Sequence, residues 1–152
     1  MKLEVKLHLP AVTPLLDVVK VAADSLGGCL AAPLRHDGLD AEFRSDWEAE
    51  LVAAQNEDIR LLLALFGHEF FGTGVIVLDE ANAEPVMRAC AALRLRLRAH
   101  DLGALPDEAL ESGAVHVAGL AEPVQRAFMS YVFLATLQDL CLSHLGPSVP
   151  GV

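Results

Sequence analysis

Basic side chains, aromatic rings, cysteines and long apolar runs are all scarce in this sequence, and each scarcity removes a class of function. Only 11 Lys and Arg stand against 21 Asp and Glu, a net charge of −10. An acidic chain repels phosphate backbones, so nucleic-acid binding by the whole surface is not expected. Three cysteines (Cys29, Cys90 and Cys141), widely spaced and with no C-x-x-C, make neither a disulfide framework nor a zinc site, and read as reduced thiols of a cytoplasmic protein. The longest apolar stretches, Leu61–Phe66 and Ala127–Leu137, fall well short of the ~20 residues that span a bilayer, so no membrane segment is expected. Met1 is followed by the charged, alternating Lys2-Leu3-Glu4-Val5-Lys6 rather than by the apolar core of a signal peptide.

Catalytic signatures are missing as well. There is no G-x-S-x-G elbow. Gly72-Thr73-Gly74 extends into neither a phosphate-binding loop with lysine nor a dinucleotide fingerprint. The six histidines are scattered, without the i, i+4 pair and glutamate of a helical zinc hydrolase. No metal or other cofactor is expected, and an enzyme is the least favoured reading. Its best site would be His68-Glu69, in the glycine-flanked loop Gly67 to Gly72.

What is abundant is small and aliphatic. Apolar residues make up 53% of the chain and aromatics only 5%, so Ala and Leu carry the excess, which favours helix. The 152 residues fit one domain, expected over 1–147 with a frayed tail at 148–152. A mean hydropathy of +0.41 is high for so small a chain and points to apolar surface covered by a partner or a second copy.

The pattern predicts a mainly α domain of about five helices with a small β element. Leu3, Val5, Leu7 and Leu9 alternate with polar residues, a half-buried strand over 3–9 that Pro10 ends. Thr13-Pro14 reads as a helix start, and Gly27-Gly28 as its end. A connector follows over 29–39. Residues 40–66 read as one long helix or two, since Asn56-Glu57-Asp58 could restart it. Gly74 to Leu78 is a second short strand, pairing with the first. The next helix starts near Asp79 or Asn82 and turns Val86, Cys90, Leu93 and Leu97 to the core. A short helical turn is expected over Pro106–Glu111, and a third strand over 114–118. The last helix runs from about Ala121 to Leu145, stopped by Gly146-Pro147. Its apolar residues lie nearly all round, so it is either central to the core or shared with another chain.

Half of the eight arginines, Arg88, Arg94, Arg96 and Arg98, fall within eleven residues. Arginine's rigid donor fork suits an acidic partner, a phosphate or a carboxylate. The plainer alternative is a solvated helix whose arginines pair with the chain's own carboxylates and favour its C-terminal dipole. Cys90 and Cys141 lie on apolar faces and read as small hydrophobes. Cys29, beside Gly27-Gly28, is the candidate redox thiol.

Taken together, Glu42-Phe43-Arg44, Leu78-Asp79-Glu80, Leu93-Arg94-Leu95-Arg96-Leu97 and Leu137-Gln138-Asp139-Leu140 resemble an uncharacterised family of small helical bacterial proteins. That family is commonest in actinobacteria and is often encoded beside the Clp protease adaptor. The resemblance covers about residues 40–145. The family's tryptophan and Asn-Asp pair ahead of the Arg-Leu motif correspond here to Met87 and Ala91-Ala92. It implies a regulatory or interaction role near proteolysis or stress response, with no catalytic residues to carry over. The reading is a non-catalytic interaction or regulatory module, self-associating or bound to a protein partner, with the Arg88–Arg98 stripe as its contact surface. A thiol-based redox-sensing regulator is the alternative.

Overall fold

Strand β1 (Lys2–Lys6) pairs antiparallel with β2 (Val75–Asp79), seventy residues on, in the register Leu3↔Leu78 and Val5↔Ile76. Those pairs make the inner face, while Glu4 and Val77 point outward. The structure, a computed structural model, describes residues 2–33 and 40–145. The expected tail at 148–152, the Gly146-Pro147 stop and part of the 29–39 connector lie outside them.

Helices α1 (Leu9–Ser25), α2 (Ala41–Ala64), α4 (Ala83–His100) and α6 (Glu122–Leu145) form the body, with short α3 (His68–Thr73) and α5 (Asp107–Ser112) between them. Helix α4 is the hub: it packs against α2, α6 and α1. Val86, Cys90, Leu93 and Leu97 are fully buried, as their spacing predicts, with Ala89 beside them. Leu62 from α2, Val19 from α1, Leu134 and Leu137 from α6, and Ile76 and Leu78 from β2 close around them.

The stretch 40–66 is a single helix over Ala41–Ala64, capped by Asp40, whose carboxylate accepts the Glu42 N–H at 2.9 Å. Helix α1 begins five residues earlier than Thr13-Pro14 suggests. Pro10 sits in its first turn, where a missing N–H costs nothing, and Pro14 lies within the helix. Burial of Val12, Leu15 and Val19 outweighs the lost hydrogen bond there. The first strand is correspondingly shorter than expected and stops at Lys6.

Two local expectations change. The glycine-flanked segment 67–72 is largely helix α3, because Phe70 is buried edge-on against Phe66 at 5.1 Å and Gly74 ends the turn in the left-handed region (φ 75°). The third strand, near 114–118, is absent: Val117–Gly119 is a 3₁₀ turn. Among the described residues no strand lies beside it to offer a partner. The Val115 N–H bonds back to Gly113 O at 2.8 Å, and Gln125 Nε2 donates to the carbonyls of Val117 and Leu120 at 2.8 and 3.0 Å.

Candidate functional site

Core burial fixes the orientation of α4 and so sends its four arginines to different destinations. Arg88 turns toward α2, where Nε and Nη2 each lie 3.0 Å from an Asp58 carboxylate oxygen and Nη1 reaches Glu84 at 2.9 Å. The hydrogen bonds to Asp58 hold the Arg88 guanidinium above its ordinary pKa. Arg98 turns toward α5, donating to Asp107 at 2.9 Å with Glu111 at 3.7 Å. Arg96 leaves this side altogether and donates to the Nε2 of His100, one turn on, beside α1.

Arg94 is different. It is half-buried against α6, with Nη1 donating to Gln138 Oε1 at 2.7 Å and Nη2 to the Tyr131 hydroxyl at 3.2 Å. Its guanidinium carbon lies 4.5 Å from the centre of the Tyr131 ring, a cation–π contact. Gln138 is itself oriented by donating to Met87 O at 3.2 Å. All these partners are neutral: among the described residues no carboxylate pairs with Arg94, and its buried Nε has no hydrogen-bond partner. Arg94, Arg98, Ala91, Leu95 and Tyr131 line a recess of about 270 Å³ between α4 and α6.

Apolar surface borders that recess. Leu95, which lines it, is 45% exposed, and further along α6 Leu142, one turn beyond Gln138, is 60% exposed. The all-round apolar pattern of α6 divides in the structure: Tyr131, Leu134, Leu137 and Cys141 face inward, while Met129, Val132 and Leu142 face solvent. Sequence reasoning singled out the arginines but not Tyr131 or Gln138 as their supports. Gln138 is one of two amide side chains in α6, with Gln125, and it gains meaning only when α4 lies alongside.

The remaining candidates do not converge. Cys90 and Cys141 are buried, and burial, with Cys141 adding to it and Arg94 opposing it, pushes the Cys90 thiol up to about 12. Burial likewise raises Cys141. Cys29 is exposed, its Sγ 3.4 Å from Ser25 O. His68 and Glu69 occupy the first turn of α3, both open to solvent. Among the described residues no cluster of His, Cys, Asp and Glu could hold a metal ion, and no helix is long and apolar enough to cross a membrane.

A small helical domain built on a central α4, with a supported arginine at the α4–α6 junction, is the class these features define. The chain belongs to the family described as a domain of unknown function, DUF2017, whose model matches residues 22–145 and so includes the whole recess. No curated protein and no solved structure matches the chain.

Proposed function

We propose that this protein is a non-catalytic interaction or regulatory module, and that its contact surface is the outer side of α4 with the adjoining edge of α6. The observation that carries this reading is Arg94: a half-buried cation whose partners among the described residues are all neutral, in a chain of net charge −10. An arginine held in place without a counter-charge is prepared for a carboxylate from outside. Leu95, exposed beside Arg94 in the same recess, supplies the apolar surface such a contact needs. Arg88 and Arg98 border the same surface, each already paired with a carboxylate of its own; Arg96 faces away and is left out of it.

The partner is a protein segment bearing carboxylates, and a second copy of this chain qualifies. The first half of α2 exposes Glu42, Asp46 and Glu50 around Phe43, an acidic and aromatic strip complementary to the Arg94 recess. Homo-oligomerisation therefore stands within the proposal. On the resemblance of its Arg-Leu motif we set the protein in the cytoplasm of an actinobacterium, near proteolysis or stress response. A redox role rests on Cys29 alone and is the lesser reading.

Affinity capture from native extract tests the surface, with wild-type, Arg94→Gln and Leu95→Glu baits run side by side. A stoichiometric partner, or added copies of the bait, recovered by the wild type and lost with both variants supports it. Equal recovery by all three moves the interaction elsewhere.

A further inference from the structure

On the opposite side of α4 from the Arg94 recess, a groove of about 710 Å³ runs between α1, the end of α4 and the start of α6. Its size falls within the range of small-molecule sites. One wall is apolar: Val18, Val21 and Ala22 of α1 face Pro123 and Ala127 of α6. Val21 is 71% exposed, the most of any large apolar side chain among the described residues. Arg96 and His100 stand at the α4 end of that wall.

Arg96, like Arg94, forms no ion pair with a carboxylate among the described residues. It donates to His100 Nε2, a neutral acceptor, and no other protein acceptor meets its remaining N–H groups among the described residues. Arg60, Arg88, Arg98 and Arg126 are all paired with carboxylates. The groove thus joins a guanidinium that makes no ion pair among the described residues to a bare apolar wall, which suits an anion with a hydrocarbon tail. The rim selects further. Asp17, Asp101 and Glu122 also line the groove, with Glu122 held by Arg126 at 2.6 Å. Three carboxylates so close disfavour a dianion such as a phosphate monoester.

We infer that this groove binds an amphiphilic monocarboxylate, its head on Arg96 and its tail along Val18, Val21 and Pro123. The site is independent of the α4–α6 surface and adds small-molecule sensing to whatever that surface binds.

Octanoate is the probe, titrated into isotopically labelled protein and followed by amide chemical shifts, with inorganic phosphate as the comparison. Saturable shifts confined to residues 17–25, 96–101 and 122–127 are expected with octanoate and not with phosphate. Arg96→Gln weakens octanoate about tenfold, the loss of one charge-assisted contact. Val21→Glu, at a solvent-exposed position that the fold tolerates, abolishes binding, and Arg60→Gln, on the exposed side of α2, leaves it unchanged. Absence of saturable shifts at millimolar octanoate overturns the inference. So does equal affinity in Arg96→Gln, or phosphate binding in the same groove.

Discussion

The guanidinium of Arg94 stacks 4.5 Å from the ring centre of Tyr131 while donating to that residue's hydroxyl at 3.2 Å, so one side chain supports the arginine in two ways. Tyr131 is almost wholly buried and contributes packing as well. These contributions separate by mutation. Tyr131→Phe keeps ring and packing, removes the acceptor, and is expected to lower unfolding free energy by about 1 kcal/mol. Tyr131→Ala also loses the core contact and is expected to cost about 3–5 kcal/mol. Urea denaturation of the two variants measures both.

Cys90 makes stability fall at alkaline pH. Its thiol is pushed up to about 12 by burial, whereas an unfolded thiol ionises near 8.5. Between those values the folded chain retains a proton that the unfolded chain has lost. Stability therefore declines as pH rises, by up to about 1.4 kcal/mol per unit from this one group. Cys141, also raised, acts in the same direction. Urea midpoints at pH 7.5 and pH 10 are expected to differ more for the wild type than for Cys90→Ala.

The same burial sorts the three thiols by reactivity. Cys29 is exposed and Cys90 and Cys141 are not, so a thiol reagent is expected to modify one cysteine per chain rapidly in the native state. In denaturant all three react. Intact mass after timed labelling counts them directly.

Gly74 joins α3 to β2 at φ 75°, and a Cβ there would lie 3.0 Å from Leu7 O. Backbone strain and this close approach act together. Gly74→Ala is expected to destabilise the fold by about 1–2 kcal/mol, whereas Gly72→Ala, where a Cβ meets nothing within 4 Å, is expected to be near neutral. Thermal unfolding of the pair makes the comparison.

The parts of the fold that repeat along the chain were legible in the sequence. The spacing of Val86, Cys90, Leu93 and Leu97 marks the buried side of α4, and the alternation of Leu3 and Val5 marks the inner face of β1. What stayed hidden depends on groups far apart in sequence. Val115 stays out of a sheet because, among the described residues, no strand lies beside it. Gln55 illustrates the point best. It accepts from Ala31 N at 3.0 Å and donates to Leu26 O and Cys29 O, clasping the end of α1 and the connector to α2, yet nothing near position 55 announces it. The arginines were visible as a cluster, but their destinations were set by Asp58, Asp107 and Gln138 on three other helices.

The most direct test of the contact surface is photo-crosslinking from position 95. A benzophenone side chain replaces Leu95, and the control carries it at Lys20, an exposed position on α1. Irradiation in native extract is expected to give an adduct of discrete mass from position 95 and none from position 20, the added mass identifying either a partner or a second copy. A discrete adduct from position 20 with none from position 95 would contradict the account.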